Sequence, residues 1–194
     1  MTTKEPVITG EPTSERAGGH DPATSLEGPS RPLLMVDIDG VISLFALPGA
    51  SWADRQASEG SFHSIEGIPH FLSSIAAAHL HTLGAQFELV WASGWEEKAE
   101  EHLPHLLGLP AGLPFLRFAR AVGKSNAHWK LEAIDTFAAR RALAWLDDAF
   151  NAACHDWAEA RSAPTLLVQT EPEHGLTSRE ARRLAAWAQA LQAG

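Results

Sequence analysis

The chain has 194 residues, of which 45% are apolar, so it is long enough for one globular domain with a tail. Its single cysteine, Cys154, excludes an internal disulfide, and its formal net charge of -9 argues against broad nonspecific attraction to nucleic acids, although not against a local basic patch. The first residues lack the apolar core of a signal peptide, and no run approaches about 18 apolar residues. We therefore expect a cytoplasmic protein without membrane contact.

The N-terminal segment, residues 1–31, differs in composition from the rest of the chain. It contains prolines at positions 6, 12, 22 and 29 and few large apolar side chains, which is typical of a segment that cannot bury a core. We predict a disordered tail over residues 1–31 and one folded domain over residues 32–194.

Strand and helix patterns alternate along residues 32–194. Short apolar runs predict strands at 33–37, 87–91, 142–146 and 165–169, with a shorter strand at 115–118. Apolar residues at helical spacing predict helices at 68–81, 95–107, 129–139 and 152–161, and a capping box that begins at Thr177 predicts a final helix. Residues 43–66 are mixed in character and indicate a flap or hairpin. The alternation predicts an α/β fold with a parallel central sheet and helices on both faces.

Two carboxylates follow the first predicted strand, in the sequence Asp37-Ile38-Asp39-Gly40. Ligands of open α/β sheets bind at the carboxyl ends of the strands. One aspartate at this position is placed to attack phosphorus, and the other is placed to handle the proton. Gly40 lets the chain turn there. A strand-end turn without catalytic function is the alternative interpretation.

Ser93 and Lys130 are further polar residues beside predicted strands or helices. Ser93 follows the strand at 87–91, where a hydroxyl and free backbone amides at a helix start suit a phosphate oxygen. The alternative for Ser93 is a plain helix N-cap. Lys130 lies near a helix start, where the helix dipole disfavours a cation, so a nearby anion explains its position better. The alternative for Lys130 is a solvated surface lysine.

Asp147 and Asp148 follow the predicted strand at 142–146. Adjacent carboxylates repel each other, and a nearby cation would relieve that repulsion. Hard oxygen ligands in this number suit Mg²⁺, which binds through a few carboxylates together with substrate phosphate. In the alternative interpretation, one aspartate caps the next helix and the other faces water.

The chain resembles the haloacid dehalogenase-like (HAD) hydrolase superfamily, whose members are mostly phosphatases, in the order of these polar residues. The matching motifs are Asp37-Ile38-Asp39-Gly40, Ser93, Lys130 (with Lys124 as a second candidate) and Asp147-Asp148. The resemblance implies a Rossmann-like three-layer α/β/α sandwich with a β flap after the first strand. Since the intervals between the motifs leave no room for a separate domain of typical size, we expect a capless or minimally capped member.

The resemblance also implies roles for these residues. Asp37 would form an aspartyl phosphate, and Asp39 would act first as general acid and then as general base. Ser93 and Lys130 would bind the phosphoryl oxygens. The implied Mg²⁺ ligands come from the same strand ends: Asp37, the main-chain carbonyl of Asp39, Asp148 and the nearby Asp147. Since a halide leaves without a proton, the presence of Asp39 favours phosphoryl transfer over carbon–halogen cleavage.

The leading hypothesis is a Mg²⁺-dependent phosphomonoester hydrolase that acts on a phosphorylated small molecule or on the phosphorylated end of a macromolecule. One alternative is a nucleic-acid 3′-end phosphatase in repair, which the net charge does not favour. The other is a non-catalytic module of the same fold that binds a phosphorylated ligand. Trp95 and Trp129 flank Ser93 and Lys130, where they either stack on a base or pack in the core.

Overall fold

The computed structural model describes residues 31–45, 59–119 and 126–193. The predicted tail, residues 1–31, lies outside the described residues except for Arg31, whose guanidinium donates a hydrogen bond of 2.7 Å to the Gly84 carbonyl. Much of the predicted flap, residues 46–58, and the candidate Lys124 also lie outside them. Every helix in the described ranges is too short or too polar to cross a lipid bilayer.

Seven strands and five α-helices occur in the described ranges. In chain order they are β1 (Leu33–Val36), β2 (Ser43–Leu44), β3 (Gly60–Ile65), β4 (Ile68–Ser73), α1 (Ser74–Leu83), β5 (Glu88–Trp91), α2 (Glu97–Leu107), α3 (Leu131–Ala138), β6 (Leu143–Asp147), α4 (Ala152–Ala160), β7 (Thr165–Gln169) and α5 (Ser178–Ala193). A 3₁₀ turn, Ala127–Lys130, leads into α3.

The central sheet contains four parallel strands in the order β5-β1-β6-β7. All four residues of β1 are apolar and buried, as expected of a strand that is covered on both faces. The register places Val36 beside Trp91 on one side and beside Leu146 on the other. The three neighbouring strands therefore end at the same level, and the residues that follow them meet at one edge of the sheet.

Helices cover both faces of this sheet. One core cluster joins one face to α1, α2 and α5, through residues that include Leu80, Leu103 and Leu184. A second cluster joins the other face to α3 and α4, through Ile134 and Cys154. Burial of apolar side chains on both faces confirms the predicted α/β fold, a Rossmann-like three-layer sandwich.

A second sheet of three antiparallel strands, in the order β2-β4-β3, follows β1 in the chain. The hairpin of β3 and β4 turns at Glu66 and Gly67, which have φ values of 51° and 82°. This sheet occupies the place of the predicted β flap. The described residues between Asp39 and Ser93 hold only this sheet, α1 and β5, and those between Ser93 and Lys130 hold only α2, irregular segments and the 3₁₀ turn.

The helix predicted over residues 68–81 is wrong in its first part, because residues 68–73 form β4 and α1 begins at Ser74. Phe71, Leu72 and Ile75 have helical spacing, but Phe71 and Leu72 pair with residues of β2 and β3. Ser73 marks the change from strand to helix. Its hydroxyl accepts a hydrogen bond of 3.1 Å from the Ala76 N–H and thereby caps α1.

The short strand predicted at 115–118 is also wrong. Phe115 forms only an isolated bridge with Trp91, at the end of β5. The helix predicted over 129–139 begins as the 3₁₀ turn and continues as α3. The other predicted elements lie within about two residues of the observed ones, which is the usual variation at element ends.

Candidate active site

A cavity of about 440 Å³ opens at the edge where the parallel strands end. Strand β1 leads into Asp37, β5 leads into Ser93, and β6 ends in Asp147. The cavity is lined by every residue that was predicted from the sequence to be catalytic or metal-binding: Asp37, Asp39, Ser93, Lys130, Asp147 and Asp148. The topology of the sheet thus brings together residues that are far apart in the chain.

Lys130 is buried, with only 3% of its surface exposed, at the end of the 3₁₀ turn. Its ammonium group lies 2.8 Å from Asp37 Oδ2 and 2.7 Å from Asp147 Oδ2. These charge-assisted hydrogen bonds are shielded from water and hold the two carboxylates on a single cation. The interpretation of Lys130 as a solvated surface residue is therefore wrong.

Asp147 and Asp148 do not cap the helix that follows them, so that alternative is wrong. Asn151 caps α4 instead, because its side chain accepts a hydrogen bond from the Cys154 N–H. Asp147 is 1% exposed, and its Oδ1 accepts a hydrogen bond of 3.0 Å from the Ala149 N–H. Since Asp147 Oδ2 accepts a hydrogen bond from the Lys130 ammonium, both oxygens of this buried carboxyl group have partners.

The turn after Asp39 packs directly against Asp148. Gly40 has a φ of +72°, and a Cβ atom at this position would lie 2.5 Å from Asp148 Oδ2, so only glycine fits here. The Thr170 hydroxyl, at the end of β7, donates a hydrogen bond of 2.9 Å to the Gly40 carbonyl. Thr170 was not predicted from the sequence, although it too follows a strand of the central sheet.

Ser93 is 2% exposed and lies at the cavity wall. The interpretation of Ser93 as a helix N-cap is wrong, because α2 begins at Glu97 with Glu96 as its cap residue. The Ser93 carbonyl accepts a hydrogen bond of 3.0 Å from the Glu96 N–H, which closes a turn between β5 and α2. This turn holds the Ser93 hydroxyl at the same edge as the carboxylates.

Asp39 contacts a pair of aromatic side chains. Its Oδ2 accepts a hydrogen bond of 3.1 Å from Trp95 Nε1. The Trp95 ring packs edge to face with the His70 ring at a centroid distance of 4.8 Å, and His70 Nδ1 lies 2.9 Å from the Ser43 hydroxyl oxygen. His70 was missed because its segment was predicted as a helix, which hid its place in β4 beside the cavity.

The flap forms a partly apolar wall of the cavity. Phe45 and Ile68 line the cavity and are 48% and 60% exposed. Glu66, at the turn of the hairpin, forms an ion pair with Lys98 of α2. A bound substrate that extends beyond the carboxylates would therefore meet apolar side chains as well as charges.

Burial, together with the crowding of carboxyl groups, raises several pKa values in the cavity. Burial is the largest cause of the raised pKa of Asp39, Asp147 and Asp148, and repulsion from Asp37 adds to it. The pKa of Asp148 rises to about 6. For Lys130, burial lowers the pKa, but attraction to Asp37 and Asp147 outweighs burial, so the net shift is upward and the ammonium stays charged.

The arrangement of carboxylates fits a divalent cation. Oxygens of Asp37, Asp147 and Asp148 lie within 4.8 Å of one another. Carboxylate oxygens are the ligands that Mg²⁺ prefers, and a divalent cation would reduce the repulsion that raises the pKa values. The Asp39 carboxyl group does not belong to this group of three. That the main-chain carbonyl of Asp39 is a ligand of the cation stays a prediction.

A parallel α/β sheet with these polar residues at its strand ends is the arrangement of a HAD-type hydrolase. The family of HAD domains in Swiss Army Knife RNA repair proteins matches residues 33–181, and the chain belongs to this family. Membership confirms the superfamily that was predicted from the motifs. No curated protein and no solved structure matched the chain.

Replacement of Lys130 by methionine should strongly destabilise the protein. Lys130→Met leaves the carboxylates of Asp37 and Asp147 buried without their shared cation, which we expect to cost about 3–5 kcal/mol of unfolding free energy. Urea denaturation in EDTA measures the change. The exposed pair of Lys98 and Glu66 provides the control, since Lys98→Met should cost less than about 1 kcal/mol. Equal losses in the two variants would contradict the buried ion pairs.

Replacement of Asp148 by asparagine should stabilise the metal-free protein at neutral pH. The folded protein raises the pKa of Asp148 to about 6, so its ionised form disfavours folding above that pH and the penalty is lost as the group takes up a proton below it. In EDTA, we expect Asp148→Asn to raise Tm at about pH 7.5 and to raise it less at about pH 5. Asp156→Asn, at an exposed position of α4, is the control and should change Tm little. An increase in Tm that is equal at both pH values would contradict the raised pKa of Asp148.

Proposed function

We propose that this protein hydrolyses phosphate monoesters with the help of Mg²⁺, through a phosphoryl group that Asp37 carries transiently. The observation that supports this most strongly is the contact of one buried ammonium, Lys130, with both Asp37 and Asp147. A carboxylate beside a fixed positive charge, at the open edge of a parallel sheet, is suited to receive an anionic phosphoryl group.

Asp37, Asp148 and the neighbouring Asp147 are the side chains that would hold the cation. When bound, Mg²⁺ would reduce the repulsion between the substrate dianion and the attacking carboxylate. The spacing of their oxygens, within 4.8 Å, and the packing of Asp148 against Gly40 support this assignment.

In the first step Asp37 acts as the nucleophile and Asp39 as the general acid. An oxygen of Asp37 forms a bond to phosphorus while the bond from phosphorus to the leaving oxygen breaks. Asp39 gives its proton to that leaving oxygen. The raised pKa of Asp39 favours the protonated form that this step requires. Trp95, which donates to Asp39 Oδ2, keeps the carboxyl group oriented.

The second step releases phosphate and restores the enzyme. Asp39, now ionised, takes a proton from a water molecule whose oxygen attacks the phosphorus, and the bond between phosphorus and the Asp37 oxygen breaks. Ser93 donates a hydrogen bond to a phosphoryl oxygen, and Lys130 balances the charge of the group. A module that only bound phosphorylated ligands would have no need of Asp39.

Loss of the proposed nucleophile should abolish turnover. Asp37→Asn keeps the size of the side chain but removes the attacking carboxylate, so hydrolysis of 4-nitrophenyl phosphate should fall by at least about 10³-fold. Turnover by the native protein should also stop in EDTA and return with Mg²⁺. Asp156→Asn is the control and should keep its activity. Near-normal turnover of the Asp37→Asn variant would refute the assigned nucleophile, and a native protein that binds phosphate esters without hydrolysing them would favour the binding module.

A nucleic-acid end is the second candidate for the substrate class. It is favoured by one finding, the description of the matching family as HAD domains in RNA repair proteins. The absence of a large domain between the motifs, in the part of the chain that the structure describes, agrees with access for the end of a long molecule. We propose a terminal 3′-phosphate on a polynucleotide as the group that is removed.

The substrate class is tested by comparing esters of different size. With Mg²⁺ present, kcat/KM for a 3′-phosphorylated oligonucleotide should exceed that for 4-nitrophenyl phosphate by at least about tenfold, because contacts away from the reacting phosphate contribute binding energy. A panel of sugar phosphates and a 5′-phosphorylated oligonucleotide are the comparison substrates. Sugar phosphates that are better substrates than both oligonucleotides would refute the nucleic-acid assignment.

A further inference from the structure

A groove of about 800 Å³ lies between the irregular segment after α2 and helix α3. Aromatic side chains and one arginine dominate its described lining: Phe115, Arg117, Phe118, Trp129 and Phe137. Phe137 is 38% exposed, and the Arg117 side chain is 65% exposed. Solvent therefore reaches the faces of this groove.

Trp129 connects the groove to the catalytic cavity, because it lines both. The centroid of its ring lies 5.6 Å from the Lys130 ammonium. The ring also packs edge to face with Phe118, at a centroid distance of 4.6 Å. A ligand whose phosphate reaches Asp37 would therefore enter the groove once it extended past Trp129.

The groove wall is fixed by hydrogen bonds to β5 and to the N-cap residue of α2. The Trp91 N–H donates to the Pro114 carbonyl, and the Leu116 N–H donates to the Trp91 carbonyl, both at 2.9 Å. The Phe118 N–H donates to Glu96 Oε1 at 3.0 Å. Since these bonds anchor the segment on both sides of Arg117, the aromatic side chains are preorganised for a ligand.

The side chains of the groove suit planar rings better than free anions. The Arg117 guanidinium lies over the Phe115 ring, 5.1 Å from its centroid, and also forms an ion pair of 3.1 Å with Glu97. Its charge is thus partly balanced, and Glu132 also lines the groove, so the groove does not favour free anions. Flat aromatic and guanidinium surfaces bind nucleobases by stacking, and every base offers such a face.

We propose that this groove binds the last two nucleobases before the terminal phosphate of a single-stranded polynucleotide. The proposal rests on the proposed function, which places that phosphate at Asp37. It assigns Phe118, Trp129 and Phe137 to stacking, and it resolves the role of Trp129 in favour of contact with the substrate. An apolar peptide segment is the competing occupant.

Equilibrium binding tests the groove separately from catalysis. In the 194-residue chain with Asp37→Asn, fluorescence anisotropy gives Kd for a labelled hexanucleotide with a 3′-phosphate, in Mg²⁺. Adding Phe137→Ala should raise Kd about 5- to 100-fold, as should replacing the penultimate base by an abasic residue. Adding Phe62→Ala is the matched control, since Phe62 is an exposed phenylalanine of β3 at 49% exposure and does not line the groove. This control should leave Kd unchanged.

The effects of Phe137→Ala and of the abasic residue on the binding free energy should not be additive. If the base stacks on Phe137, the abasic oligonucleotide should lose little further affinity for the variant that already carries Phe137→Ala. Equal Kd values with and without Phe137→Ala, or for the intact and abasic oligonucleotides, would overturn the stacking subsite and leave an apolar peptide as its occupant. Failure of the native protein to hydrolyse any phosphate ester would instead overturn the proposed function, and these Kd values would still decide whether bases bind in the groove.

Discussion

The contact of the Lys130 ammonium with Asp37 and Asp147 is the interaction on which the rest of the site depends. Five carboxyl groups line the cavity. Glu66 pairs with Lys98 at the rim, and Lys130 is the buried cation that bonds two of the four aspartates. One lysine does not balance the four aspartates. Burial and, after it, repulsion from Asp37 raise the pKa values of Asp39 and Asp148. A buried ion pair adds little to stability by itself. Its value here is that it fixes the position of Asp37 and leaves the site with an excess of negative charge for a cation.

The fold keeps this unfavourable cluster in place through contacts of its main chain. Strands β1, β5 and β6 end in register, so Asp37, Ser93 and Asp147 are positioned by the hydrogen bonds of a buried sheet. The turn at Gly40 packs against Asp148 because glycine has no Cβ atom, and the Thr170 hydroxyl holds this turn by a hydrogen bond to the Gly40 carbonyl. Because the apolar core on both faces of the sheet supplies the stability, the charges at its edge are free to serve binding and chemistry.

The sequence was sufficient to predict the central sheet and the polar residues at its edge, because buried parallel strands are continuous apolar runs and the residues that follow them meet in space. It was not sufficient for β4, since Phe71 and Leu72 fit the spacing of a helix and only their pairing with β2 and β3 makes them part of a strand. Because of that error, His70 was not predicted to lie beside the cavity. The hydrogen bond from Trp95 to Asp39 could not be predicted from the sequence either, because 56 positions separate the two residues and no spacing rule links them.

Calorimetric titration of the native protein with Mg²⁺ at neutral pH tests the central claim most directly, with Asp148→Asn as the comparison. If the three neighbouring carboxylates form a cation site, the native protein should bind one Mg²⁺ per chain, and the variant should bind it at least about tenfold more weakly. A native protein that shows no binding of Mg²⁺, or a variant with unchanged affinity, would contradict the account.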